Sequence, residues 1–488
     1  MEEKRKVDHE IGFDFTKFPP SKWGDHFLTV TVTDSDLDAL AKEIEVLKPK
    51  VRDMLILYSE DDGEATKRKI LIIHFLVTLG LAYHFENEIE HIVKVAFEKI
   101  ANLITDENDL YTISIMFRVF RTYGHNMSSD VFKRFIEDDE KFKRYLINDF
   151  KGMLSFYEAL HFRTTTDYIL DEALNITLSH LEPIATSQLA CPGHISRLIQ
   201  KALHIPQHMN IEALVAREYI SFYEQEGNHD NTLLKLAKLN FKFLQLHYFQ
   251  ELKTITLWWR GLDHTSKLPP NFRERTIETW LAALMMYFEL QFSLGRIMSA
   301  KLYLAITFLD DACDTYASID EVMNLVDCIE RWDPDYMGKL QGHMQTAFKF
   351  VMSVYKEYED ILRSQGRLFV LDEMIEEFKI IVRTNLQLVK WAREDYMPSF
   401  DEDFEWLRSR PKVVQVLAAK TRLMDDMTDY EEDIGKGYTA NALNYYIKQH
   451  GVTKEEAIKE FGKMIKDINK IVNKECLKTT NISRRVFN

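Results

Sequence analysis

Between Met344 and Leu362 the apolar residues Met344, Phe348, Val351, Tyr355, Tyr358 and Leu362 alternate spacings of four and three. That is the period of a single apolar stripe along an α-helix. The stretch from Glu373 to Trp391 repeats the pattern, and Gly366 stands between the two, where a helix stop and a tight turn are expected. Together they predict an antiparallel helix pair. Strand alternation closed by hairpin dipeptides is essentially missing from the sequence, so the expected fold class is all-α. At 488 residues the chain is too long for one ordinary core, and with 46% hydrophobic and 12% aromatic residues it can fill more than one. The most polar interruption between long periodic regions is EQEGNHDN, Glu224 to Asn231. We place a domain boundary there, giving 1–228 and 229–488.

Two acidic clusters carry the chemistry. In DDACD, Asp310 and Asp314 sit nearly above one another on a helix, with Asp311 about 100° round it. In DDMTDYEED, Asp425, Asp429 and Asp433 recur every four residues and form a column of three carboxylates on one helix face. A charge run is ordinarily a solvated face. Here, however, both clusters follow apolar residues, Ile306, Phe308 and Leu309 before the first and Leu423 and Met424 before the second. Stacked like charges destabilise a helix, so a compensating cation is expected. Ligands that are all oxygen favour Mg²⁺ or Mn²⁺ over zinc. The pair of clusters therefore points to a shared polymetal site.

Candidate cationic partners lie in the same half. Arg273 and Arg275, in FRERTIETW, follow Pro269 and Pro270 at an expected helix start, and Arg422 stands three residues before Asp425. Guanidinium forks suit phosphate oxygens, although an RER at a helix start is more often a surface ion pair. The amino-terminal half holds no comparable cluster, and its DSDLD at Asp34 to Asp38 is read as opening a helix. The net charge of −15 and the lack of a basic tract argue against nucleic acid and anionic membrane surfaces as partners. The apolar stretch Ile70 to Ala82 is broken by His74 and Gly80 and is too short to cross a bilayer. Cys191, Cys313, Cys328 and Cys476 are scattered, without a CxxC, as reduced structural thiols would be. The start, MEEKRKVDHEIGF, lacks the Ser/Arg-rich, acid-poor character of a transit peptide, so a cytoplasmic protein is expected.

Several segments together resemble a plant class I terpene synthase, most closely the angiosperm sesquiterpene synthase branch. They are FPPSKWGDHF, GMLSFYEALHFRT from Gly152, WWRGLD from Trp258, FRERTIETW, FLDDACDTYAS from Phe308, RWDPDYM from Arg331 and TRLMDDMTDYEED from Thr421. The resemblance implies an inert amino-terminal α-barrel and a catalytic carboxy-terminal α-bundle. It also implies a monomer that binds a prenyl diphosphate, in the first instance farnesyl diphosphate, with three Mg²⁺ ions. It places the aspartate-rich motif on Asp310, Asp311 and Asp314, with Asp310 and Asp314 as metal ligands. The second metal motif falls on Asp425, Asp429 and Asp433, and the diphosphate-binding arginines on Arg273, Arg275 and Arg422. The implied reaction is ionisation of the allylic C–O bond, followed by carbocation cyclisation in a dry aromatic pocket. Trp280 and Tyr287 could line such a pocket, but core packing is the simpler reading of both. Longer prenyl substrates, and a chain-elongating prenyltransferase, are the enzymatic alternatives; the extension of the second motif to Asp433 disfavours the latter.

The sequence departs from the family pattern in three ways. Asp429 and Asp433 replace the usual Ser/Thr and Glu of the second motif. Phe400 runs almost directly into DEDFEWL, where the family has several turns of a kinked helix and a loop, so an internal deletion is expected. The sequence stops at SRRVFN, where the family continues with two helices and a lid loop. An open cavity, with impaired or absent cyclisation, is the expected consequence, and a non-catalytic remnant is the alternative outside enzymology.

Overall fold

The computed structural model describes residues 21–56, 62–136, 142–186, 191–262, 274–316, 318–394, 410–435 and 441–478, the side chains of 144, 314–316, 388–389, 391–394 and 432 excepted. Among these residues there is no β-strand, only one isolated bridge between Ile136 and Phe142. The chain forms two compact units. The amino-terminal unit comprises the described residues of Val32–Leu246, Arg408–Lys420 and Gly462–Asn488, and the carboxy-terminal unit those of Met1–Thr31, His247–Leu407 and Thr421–Phe461.

The amino-terminal unit is built from α1 (Asp34–Ile56), α2 (Gly63–Thr78), α3 (Glu86–Glu98), α4 (Leu110–Thr122), α5 (Phe150–Leu160), α6 (Tyr168–Thr186), α7 (Gly193–His204), α8 (Glu212–Gln225) and the first half of α9 (Asn231–Arg260). DSDLD does open a helix, and the cap is Thr33. Its hydroxyl accepts from the Asp36 N–H at 3.2 Å and donates to the Asp36 carboxylate at 2.6 Å, a reciprocal arrangement that contributes about 1 kcal/mol. Helices α4 and α5 are buried almost all round, from Ile113 to Arg121 and from Gly152 to Leu160, and they pack on one another as the centre of the unit. The ring of Phe132 bridges them, 5.1 Å from Phe117 and 4.7 Å from Phe156.

Polar groups in this core are paired. Arg121 donates to both carboxylate oxygens of Asp167, at 2.6 and 3.1 Å, and to the carbonyls of Met127 and Phe162. Burial opposes ionisation of Asp167, but Arg121 and the Thr164 N–H overcome it and hold the carboxyl at about 2. The polar segment at 224–231 is the connection between α8 and α9. Asp230 caps the latter by accepting from the N–H groups of Thr232 and Leu233 at 2.7 and 2.9 Å. The division between units falls later, at Leu246 and His247, inside the continuous helix α9.

The carboxy-terminal unit holds the rest of α9, then α10 (Thr276–Met286), α11 (Ser293–Tyr316), α12 (Ile319–Arg331), α13 (Gly342–Ser364), α14 (Phe369–Glu394), the end of α15 (Lys412–Thr428), α16 (Tyr430–Gly435), α17 (Ala442–His450) and the start of α18 (Lys454–Lys478). The expected helix pair is α13 and α14, joined through Gly366 at φ +67°, a conformation glycine adopts without strain. All six stripe residues of α13 are buried. Tyr355 packs on Phe378 of α14 with ring centroids 5.4 Å apart, and its hydroxyl donates to the Met374 carbonyl.

Helix α11 lies against α10 and α13 and buries Leu304, Ala305, Phe308, Leu309, Ala312 and Cys313. It is the one described helix apolar and long enough to resemble a bilayer span. Its packing and its terminal carboxylates identify it as a core helix. The unit's own buried hub is Arg296, fully buried, which donates to both oxygens of Glu251 (2.9 and 2.6 Å) and to the carbonyls of Tyr287 and Glu289. Trp280 also donates to Glu251, at 2.9 Å, so it belongs to the core.

Candidate active site

The first acidic cluster occupies the last turns of α11, and the fold brings to it groups from three other segments. The carboxyl of Asp310 is pushed up to about 6. Burial is the largest cause, followed by the like charges of Asp311 and Asp425, against the opposing pull of Arg275 and Asn385. Asp310 and Asp425, far apart in sequence, therefore share one electrostatic environment. Arg275, at the N-terminus of α10, grips Asp311 through both guanidinium nitrogens, at 2.6 and 3.2 Å, the fork geometry that suits a planar anion. Asn385, on α14 and 7% exposed, faces Asp310 while its amide nitrogen makes no full hydrogen bond among the described residues.

In the second cluster the helical column is broken once. Asp429 lies between α15 and α16, although i to i+4 backbone bonds continue through it, from the Asp429 N–H to the Asp425 carbonyl (2.9 Å) and from the Asp433 N–H to the Asp429 carbonyl (2.8 Å). Asp425 and Asp429 are exposed and Asp433 is half-buried. The most buried carboxylate is the neighbour, Asp426, 1% exposed and raised to about 6 by burial. It accepts from Arg422 Nη2 at 2.9 Å and from the Ala442 N–H at 2.7 Å. Asn441, also 1% exposed, completes the arrangement. Its amide donates to the Asp426 carbonyl at 3.0 Å and to Asp433 Oδ2 at 2.9 Å, while its Oδ1 caps α17. Asp433 is thus held by a neutral partner.

Of the residues singled out in the sequence, Asp310, Asp311, Asp425 and Arg275 come together through these interactions. Asp433 and Arg422 join Asp425 through Asp426. Arg273 and the side chain of Asp314 lie outside the described residues. Among the described residues no group of three or more His, Cys, Asp or Glu forms a ready-made cage for one ion. The donor set nevertheless fits Mg²⁺: it is all oxygen, the like charges of Asp311 and Asp425 bear on Asp310, and Mg²⁺ characteristically takes one or two carboxylates and completes its octahedron with water and substrate phosphate.

Asn385, Asp426 and Asn441 were missed in the sequence. Only Asp426 had a legible signal, the i, i+4 spacing from Arg422 that an ion pair needs.

Comparisons with known proteins identify the family. The family model "Terpene synthase, N-terminal domain" matches residues 22–203, and "Terpene synthase family, metal binding domain" matches 260–403 and 401–471. Alpha-barbatene synthase of Arabidopsis thaliana is 67% identical over 516 aligned residues, covering 100% of this chain and 93% of that protein. (Z)-gamma-bisabolene synthase 2 of the same species is 54% identical, covering 100% and 92%. Among solved structures, limonene synthase superposes with a TM-score of 0.86 at 23% identity, covering 96% of this chain and 92% of that one. Isoprene synthase of grey poplar does so with a TM-score of 0.81 at 24% identity, covering 97% and 92%. These last two likenesses establish the shared fold. With two family domains matched in order and relatives this similar over the whole length, the chain belongs to the terpene synthase family and is a lyase of that family.

Proposed function

We propose that the chain is a sesquiterpene synthase that ionises farnesyl diphosphate with the help of Mg²⁺. The observation that carries this reading is the convergence of Asp310, Asp311 and Asp425 with Arg275 in one unit. Two relatives named for the sesquiterpenes barbatene and bisabolene support the chain length. A structural neighbour solved as a complex, isoprene synthase with three Mg²⁺ ions and dimethylallyl-S-thiolodiphosphate, supports the ion count.

On this reading Asp310, Asp314, Asp425, Asp429 and Asp433 hold the divalent ions. Bound Mg²⁺ supplies the Lewis acidity that stabilises the departing diphosphate. Arg273, Arg275 and Arg422 bind diphosphate oxygens. Asp311 orients Arg275 through its bidentate pair, and Asp426 does the same for Arg422. Asn441 keeps Asp433 pointed at the site. The apolar core of α11 and α13 behind Asp310 limits the approach of water from that side.

The reading includes a loss of cyclisation control. The metal-binding family model matches in two segments that meet at 401–403, and the alignment to the barbatene synthase runs over 516 residues against this chain's 488. Both observations support an internal deletion near Phe400, in a stretch that resemblance assigns to the active-site wall. A breached wall admits water to the carbocation. The experiment is incubation of the purified protein with farnesyl diphosphate and Mg²⁺ beside Asp310→Ala, with products identified by gas chromatography and mass spectrometry. Farnesol-type alcohols that disappear in the variant are expected. A single cyclic hydrocarbon lost in the variant would overturn the impairment, and no Asp310-dependent product would overturn the enzymatic reading.

A further inference from the structure

The amino-terminal unit contains a partly open cavity of about 380 Å³, inside the range of small-molecule sites. It lies at the junction of α4 and α5, the two helices buried almost all round. All its lining residues belong to Val32–Leu246, and none is one of the acidic-cluster residues. Much of the wall is aromatic, with Phe75, Tyr111, Tyr219, Phe222 and Tyr223.

Four polar side chains that break this apolar surface are at least nine-tenths buried, His74 (5% exposed), Arg118 (9%), Ser155 (6%) and Glu158 (2%), and the Lys151–Glu226 ion pair, Gln207 and Asn228 also line it. Ser155 and Glu158 are three apart on α5 and share a face. Gln207 satisfies one end of two of them. Its Oε1 accepts from Arg118 Nη2 at 2.7 Å, and its N–H donates to Glu158 Oε2 at 2.9 Å. The remaining atoms, Arg118 Nε, Glu158 Oε1 and Ser155 Oγ, have no hydrogen-bond partner among the described residues. Buried polar atoms left this way cost free energy unless something in the cavity completes them.

We infer that this cavity binds a small amphipathic alcohol, its hydroxyl completing the hydrogen bonds of Arg118, Ser155 and Glu158 and its hydrocarbon part lying on the aromatic wall. The charges select the head group. A carboxylate or phosphate would meet the Glu158 and Glu226 carboxylates, and an ammonium would meet Arg118 and Lys151. A hydroxyl accepts from the guanidinium and serves Glu158 whichever way its proton lies. Glu158 sits near the point where both forms exist: burial raises it to about 7, against Arg118 and the Gln207 N–H.

The test is calorimetric titration of the whole protein with decan-1-ol, beside 1-methoxydecane, which can accept a hydrogen bond but not donate one. Hydrogen exchange locates the binding. Saturable one-to-one binding of the alcohol is expected, with the ether about tenfold weaker and protection appearing in α4 and α5. Ser155→Leu, which fills the cavity, weakens the alcohol at least about tenfold, while Asp310→Ala leaves it unchanged. Arg118→Lys keeps the charge, loses the Nε donor and gives the same loss if the leucine variant does not fold. The inference is overturned if the alcohol does not saturate, which would mean a cavity filled by water alone. It is equally overturned if the ether binds as well as the alcohol, or if Asp310→Ala abolishes binding.

Discussion

Arg296 and Asp310 lie in the same unit and on the same helix, α11, yet their surroundings are opposite. Arg296 is completely buried with acceptors on all three of its nitrogens, two of them from a single carboxylate. Asp310 faces Asp311 and Asp425, and its carboxyl is driven upward by burial first and by those like charges next, with Arg275 opposing them only in part. One end of the helix spends charge on holding the structure, and the other, on the function proposed above, keeps charge for a metal ion. Burial is common to both. What separates structural charge from functional charge here is whether the partner comes with the chain.

Breaking the closed end should have the largest effect on the fold. Arg296→Met leaves Glu251 buried without its cation, and a loss of about 3 to 5 kcal/mol in unfolding free energy is expected by denaturant titration. Breaking the open end should do the reverse. Asp310→Asn is expected to lower turnover of farnesyl diphosphate by at least about a hundredfold, roughly 3 kcal/mol. The metal-free protein should remain at least as stable as the parent in a thermal melt, because a like charge has been removed. The open end should also respond to what it lacks. Mg²⁺ with a non-hydrolysable prenyl diphosphate analogue at a hundred times its dissociation constant should stabilise the protein by about 2.7 kcal/mol, and Asp310→Asn should remove most of that gain.

The smallest effect belongs to the amino-terminal unit. Asp167 is held at about 2, below its usual carboxylate value, so its pairing with Arg121 stabilises the fold fully above about pH 4. That contribution falls away as the pH drops toward 2. Allowing for solvent screening, about 1 to 2 kcal/mol should be lost over this window, and Asp167→Asn should flatten the acid limb of the stability curve.

The helix pair around Gly366 and the acidic clusters were legible because their information is local: a period of 3.6 and runs of like charge survive in one dimension. Asn441 was not legible. Its role comes from meeting the Asp426 carbonyl and Asp433 across a connection, and an asparagine before a helix ordinarily signals only a cap. Asn385 sits on α14 among ordinary helix residues and gains meaning only by facing Asp310. The polar stretch at 224–231 behaved as its composition suggested, a connection with a capping Asp230. The continuity of α9 through Leu246 could not be seen, because an amphipathic period does not reveal which neighbours each turn will have. The column of Asp425, Asp429 and Asp433 was legible as a spacing, whereas the break at Asp429 depends on how α16 turns away.

The last described helix carries a consequence for biosynthesis. From Gly462 onward α18 belongs to the amino-terminal unit, where Lys470 pairs with Asp171 and Asn473 donates to the carbonyls of His161 and Arg163. Those acceptors are translated some three hundred residues earlier. At roughly ten residues per second, a nascent chain holds that surface uncovered for about half a minute before α18 arrives to close it. During that interval the carbonyls of His161 and Arg163 have no Asn473 to meet, and Asp171 has no Lys470.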